Sequence, residues 1–199
     1  MSCRIEFWGI PDTSIRFCEK KYNNHEYIAE YYNTFSSIIY LLVALPYIFG
    51  KTRNISISCM GIGIGSIIMH GSMRYYGQWI DELSILLYSY HMLRYLEKNM
   101  PPFWPALITL YFLEWKNFQY FMTMLFFMQI RIYYDLININ KIRGIISIII
   151  NTIGSILWFY EQIWCEQVQD YYFHMYWHFC TAISILWNFS IISKFTLID

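Results

Sequence analysis

Four stretches of this chain carry no Asp, Glu, Lys or Arg: Tyr31–Gly50 (20 residues), Asn54–Met73 (20), Gly144–Tyr160 (17) and Tyr171–Ser193 (23). A helix needs about 20 predominantly apolar residues to cross the hydrocarbon core of a bilayer. In lipid only elements that satisfy their own backbone survive, and barrel strands would alternate polar with apolar residues. These runs are apolar on every side, so they are expected to be helices. Three weaker segments complete the set. Trp79–Leu96 starts with Asp81 and Glu82 and then turns apolar, Pro102–Leu113 is short, and Asn117–Ile137 carries Arg131 and Asp135 at its far end. The expectation is an all-α membrane protein: a seven-transmembrane helix bundle with spans near 28–49, 54–72, 79–96, 102–113, 117–137, 144–163 and 172–194. A short polar N-terminal cap (1–27) precedes the transmembrane domain (28–199). Residues 1–27 have no apolar core of a secretory signal.

Composition agrees. Hydrophobic residues make up 57% and charged residues 14%, with Lys and Arg balancing Asp and Glu at 14 each. That excludes a disordered chain and a basic nucleic-acid binder; nothing points to an obligate protein partner. Lys51, Arg53, Arg94, Lys98, Lys141, Arg143 and Lys194 fall on one side of the bundle, and only Arg74 and Lys116 in the opposite loops. The positive-inside rule then puts the C-terminus in the cytosol and the N-terminus in a lumen or outside.

Ionisable residues within spans are costly and mark function by default. Here they collect at particular helix ends: Glu30 opens span 1, Ser66 and His70 close span 2, Asp81 and Glu82 open span 3, Glu161 closes span 6, and His174 and His178 open span 7. Starts of odd helices and ends of even ones share one membrane face, so a common polar pocket on the N-terminal side is expected. His174 and His178, at i,i+4, project from one helix face. Alone, that pair is more often a packed or interfacial couple than a metal site. With His70 as a third His at the same depth, it matches three zinc ligands plus an open position. His25 and His91 read as solvated or structural, Arg131 and Asp135 as an intrahelical ion pair, and the aromatic stripe at 126–129 as lipid-facing or packing surface. Of the five Cys, Cys59 and Cys180 fall inside spans and read as small hydrophobes. Cys18 and Cys165 share the non-cytosolic face, where either a disulfide or two free thiols is admissible.

Several short blocks resemble the alkaline ceramidases, part of a superfamily of seven-span zinc hydrolases that includes adiponectin-receptor-like proteins. They are Trp8-Gly9, Thr13-Ser14, Cys18-Glu19, YIAEYYNT (27–34), GSIIMH (65–70), QWIDEL (78–83), Cys165-Glu166 and FHMYWH (173–178). The resemblance implies zinc held by His70, His174 and His178, with Ser66 and Asp81 as the catalytic pair and Cys18 bridged to Cys165. It implies ceramide, hydrolysed to a sphingoid base and a fatty acid in an internal membrane such as endoplasmic reticulum or Golgi. In the mechanism expected from it, Asp81 takes the proton of an activated water and passes it to the leaving amine, while Ser66 donates to the oxyanion. Alternatives are a lipase on phospholipid or lipid-anchor esters with the same metal site, and a non-enzymatic seven-span receptor or transporter.

The resemblance also departs from the family at one place. Members with a calcium site use a D-W-C-E-x-N cap motif and the Glu of YIAE. This chain has Arg16-Phe17-Cys18-Glu19-Lys20-Lys21, with Glu30. A guanidinium and an ammonium are donors only and cannot ligate a cation. Arg16 and Lys21 are expected to neutralise Glu19 and Glu30 in place of calcium, with Phe17 still able to offer its carbonyl; otherwise both bases point to water.

Overall fold

A computed structural model describes residues 7–97, 105, 108, 111 and 117–195. Among these residues the secondary structure is entirely helical. In chain order the elements are α1 (Tyr31–Ser36), α2 (Ile38–Ala44), a 3-10 turn (Leu45–Tyr47), α3 (Arg53–Ser72), α4 (Tyr75–Leu96), α5 (Phe118–Ile139), α6 (Lys141–Ile163), α7 (Cys165–Val168), a second 3-10 turn (Gln169–Tyr171) and α8 (Phe173–Phe195). Two of these, α3 and α6, are long and apolar enough to cross a membrane by length and composition, with mean hydropathies of 1.4 and 1.7. The expected fourth span, 102–113, lies outside the described residues except for Pro105, Ile108 and Tyr111, which are helical.

One expectation needs correction. The first apolar run is not one continuous helix but two short ones and a 3-10 turn. The break falls at Ser36-Ser37, where both hydroxyls donate back to the carbonyl of Asn33 (3.1 and 2.7 Å). Such back-bonding competes with the helix ladder and bends it. Pro46, which lacks an N–H, then sits in the tighter turn. Elsewhere the helix starts are signalled locally. The side chains of Asn117 and Asn140 accept from the N–H groups of Tyr120 and Arg143 and cap α5 and α6.

The tightest packing is between α3 and α4. A Cβ added to Gly65 would lie 2.4 Å from the backbone nitrogen of Asp81, and one at Gly77 2.5 Å from that of Met69. Small residues let two backbones approach in this way. The approach brings Ser66 and Asp81, each next to one of those contacts, to the same level. A core that includes Leu86, Met92, Met128, Leu136 and Ile192, all fully buried, fills the bundle below.

The cap (residues 7–30) is welded over the end that carries the polar residues. The N–H groups of Ala29 and Glu30 donate to the carbonyls of Gly71 and His70 (2.9 and 3.0 Å). Phe17 and Ala29 pack on Met69 and Met73. A disulfide joins Cys18 to Cys165, 147 residues apart. Cys59 and Cys180 are free thiols.

Gly65→Val places branched carbon where backbone already is. It should destabilise the chain by about 1–3 kcal/mol or more, and displace Ser66 relative to Asp81. Thermal unfolding of the purified variant in detergent checks this; an unchanged midpoint would show that α3 and α4 can separate freely.

Candidate metal and catalytic site

Three helices deliver the polar cluster. The end of α3 contributes Ser66 and His70, the start of α4 contributes Asp81, and the start of α8 contributes His174 and His178. All five are buried. The ligand atoms of His70, His174 and His178 lie within 4.8 Å of one another, and Nε2 of His70 is 3.1 Å from Nε2 of His174.

The partners of the histidines fix which nitrogens face the centre. Nδ1 of His70 is 2.5 Å from Glu30 Oε2, a carboxylate that only accepts, so Nδ1 carries the proton. Nδ1 of His178 is 2.7 Å from Ser36 Oγ, whose own proton goes to Asn33. His178 therefore donates there too. Both rings present an unprotonated Nε2 inward, with Nδ1 anchored behind, the arrangement that orients histidine ligands around a metal. His174 Nδ1 is buried and has no hydrogen-bond partner among the described residues. Three imidazoles converging in a buried site suit zinc, a borderline-soft ion that takes three protein ligands and leaves one position open. The residues fit the ion.

The phenyl ring of Phe17, from the cap, covers this cluster, its centroid 4.6 Å from the ring of His70 and 4.4 Å from that of His174. Ser66 Oγ lies 2.9 Å from Ser37 Oγ. Ser37 already donates to Asn33, so Ser66 is the donor in that pair. Asp81 differs from the other acids: its Oδ1 is buried without a hydrogen-bond partner among the described residues. Ser66, Asp81, Glu82, His174 and His178 line part of a partly open cavity of about 170 Å³ that continues between α4, α5, α6 and α8 past Phe121, Leu125 and Trp158.

Sequence reasoning missed several supports. In the sequence Glu161 is a polar residue that closes span 6, with no partner legible. Its carboxylate accepts from the N–H of Cys18 (3.1 Å) and from the N–H of His174 (2.6 Å). It thus ties the cap to the first turn of the helix that carries two of the histidines. Ser36 and Ser37 lie inside an apolar run, where paired hydroxyls are the available signal. Glu82 accepts from Gln78 Nε2 and from Tyr111 Oη, both at 2.6 Å. Glu19 accepts from the N–H groups of Tyr32 and Asn33 (2.8 and 2.9 Å) at the start of α1. Burial pushes its carboxyl up to about 7, against the pull of those two N–H groups.

The remaining candidates separate cleanly. His25 is exposed and His91 partly buried, and neither joins the cluster. Arg131 pairs with Asp135 (3.2 Å) as expected, and also with Glu97 (2.5 Å). Lys21 donates to Glu30. Arg16 is exposed and makes no ion pair among the described residues, which corrects the expectation that both bases neutralise the acids.

The Ceramidase family profile matches residues 9–198. The chain is similar to an alkaline ceramidase of Arabidopsis thaliana, 27% identical over 202 residues, covering 86% of this chain and 79% of that protein. It is similar to alkaline ceramidase 3 of Mus musculus, 22% identical over 223 residues, covering 90% of this chain and 82% of that protein. Alkaline ceramidase 1 of Mus musculus is 32% identical over a shorter stretch of 89 residues, 40% of this chain and 33% of that protein.

Glu161→Ala would leave two buried N–H groups unmet. The expected loss is about 1–3 kcal/mol for each, read as a lower thermal midpoint, with Glu161→Gln retaining most of the stability because an amide oxygen still accepts. Equal midpoints for wild type and Glu161→Ala would remove Glu161 from this role.

Proposed function

The chain belongs to the ceramidase family, and from that premise we propose that it is an intramembrane, zinc-dependent amidase that hydrolyses ceramide to a sphingoid base and a free fatty acid. The observation that carries the reading is the buried triplet His70, His174 and His178, of which His174 and His178 line a cavity whose remaining walls are mainly apolar and aromatic, with Gln129, Asn151 and Asn188 among them. A chain-bearing lipid amide matches that division: the amide at the polar end, the hydrocarbon along the apolar walls.

His70, His174 and His178 would hold the zinc. A zinc ion bound there supplies Lewis acidity, polarising a carbonyl and making a water acidic enough to ionise near neutral pH. The protein's own groups do the rest. Glu30 and Ser36 keep His70 and His178 in the ligating tautomer. Asp81 has an oxygen free of structural duties and faces the same cavity. It accepts the proton of the attacking water and returns it to the leaving nitrogen, so that the amine departs neutral. The hydroxyl of Ser66 turns from Ser37 toward the former carbonyl oxygen and donates to the charge that develops there. Phe17 and the cap keep bulk water from the site.

The same reading places the chain as a seven-span protein of an internal membrane, endoplasmic reticulum or Golgi, with the N-terminal cap in the lumen and the C-terminus in the cytosol. What supports it is surface chemistry. The outer faces of α5 and α6 expose Phe126, Phe127, Ile130, Ile149, Ile153, Ile156 and Phe159, an apolar band too broad for water. At the site end, Tyr27, Tyr160, Trp164, Tyr171 and Tyr176 are exposed, as aromatic residues are at a membrane–water interface.

The test is purified protein with labelled ceramide, with and without a zinc chelator. Fatty acid release that stops with chelation and returns with zinc is expected. Release only from ester-linked lipids, or none at any pH, would sink the reading. His70→Ala and His174→Ala should lose stoichiometric zinc, measured by metal analysis, together with activity. Asp81→Asn should keep the zinc and lose about 10²–10⁴-fold in turnover, the usual contribution of a general acid–base group. Near-normal turnover in Asp81→Asn would remove Asp81 from the mechanism.

A further inference from the structure

Lys21 turns its ammonium back into the cap. Nζ donates to the carbonyl of Phe17 (2.7 Å), to the carbonyl of Glu19 (2.9 Å) and to Glu30 Oε1. An ammonium has three donors, and these three oxygens use them all. Two carbonyls and a carboxylate around one positive centre are also the oxygen set that a hard divalent cation takes. Here that centre is filled by a charge attached to the chain. The other acid of the cap is committed elsewhere, since both Glu19 oxygens accept helix N–H groups. Arg16 stands in solvent. The cap therefore does not fit the calcium ion that the resemblance implies.

The cage is joined directly to the histidine cluster. Glu30 is fully buried. One of its oxygens faces Lys21, and the other accepts from His70 Nδ1 (2.5 Å) and Asn33 Nδ2 (3.2 Å). Its own N–H donates to the carbonyl of His70 (3.0 Å). Lys21, Glu30 and His70 thus form one line from the cap to the inner imidazole. We propose that Lys21 is the resident cation of the cap, a positioning residue that sets the orientation of His70 through Glu30 and makes the cap independent of calcium. A tethered charge is present at one equivalent whatever the free ion concentration, so the His70 ring keeps its aim when calcium falls. The link to metal binding rests on the zinc reading above; the cage itself does not.

The test uses the full chain in detergent and two readouts, the thermal midpoint without added zinc and zinc affinity by competition with a chromophoric chelator. The wild-type midpoint should be unmoved by about 1–5 mM calcium, a range that saturates weak oxygen sites, and by a calcium-selective chelator. Lys21→Met should lower the midpoint and weaken zinc binding by about 10–100-fold, the usual effect of losing a residue that orients a ligand. Lys21→Asp puts two carboxylates face to face; its midpoint should fall in the chelator and recover in calcium. A wild-type midpoint that rises with calcium would overturn the proposal. So would a Lys21→Met protein with wild-type midpoint and zinc affinity, or a Lys21→Asp protein indifferent to calcium. The calcium arm needs neither zinc nor substrate, so a wild-type chain that binds no zinc would sink the metal reading of the histidines and leave this one to be judged on its midpoints.

Discussion

Glu30 has no exposed surface and is held between an ammonium on one side and an imidazole on the other. An isolated carboxylate could not be kept ionised there; burial would drive it to its neutral form. The same requirement recurs around it. Glu19 is met by two N–H groups at the start of α1, Glu161 by one from the cap and one from α8, and Asp12 by the N–H of Tyr75 at the start of α4 (2.6 Å). Helix N-termini carry unpaired N–H groups and a positive end charge, so acids borrowed from distant parts of the chain stabilise the helix starts while the helix starts stabilise the acids. Against this background Asp81 stands out among the buried acids of the described residues, with an oxygen that has no hydrogen-bond partner there.

Much of this could be read from residues alone. The apolar runs marked the long helices, and the sorting of His, Asp, Glu and Ser to the ends of alternate helices marked the pocket, because polar side chains in an apolar bundle must share a level to share partners. What could not be read were the contacts that join segments far apart in sequence. Glu161 meets Cys18 across 143 positions and Ser36 meets His178 across 142, and no local pattern encodes either pairing. The bend at Ser36-Ser37 was hidden for a related reason: in an apolar run, hydroxyls look harmless until their acceptor, the carbonyl of Asn33, is known. Arg16 and Lys21 looked equivalent as charges, and only the path of the chain separated them, carrying one back to the cage and the other out to water.

The cap and the bundle play different physical parts. The bundle fixes the histidines through α3 and α8, and the close approach at Gly65 and Gly77 sets how deeply Ser66 and Asp81 sit relative to each other. The cap closes the end of that arrangement and supplies Phe17, whose ring touches both His70 and His174. Packing sets positions in the first case, and electrostatics with a covalent bridge hold the lid in the second.

That bridge imposes an order on biosynthesis. Cys18 is made early, but its partner lies 147 residues further along, after α1 to α6 have been synthesised. Until then the cap has neither its sulfur partner nor the carboxylate of Glu161, and His174 and His178 do not yet exist to lie beneath Phe17. A nascent chain therefore carries an unsealed cap and an incomplete histidine cluster through most of its synthesis. On the proposed reading of the histidines, a protein truncated before residue 165 would lack two of the three metal ligands as well as the cysteine that seals the cap.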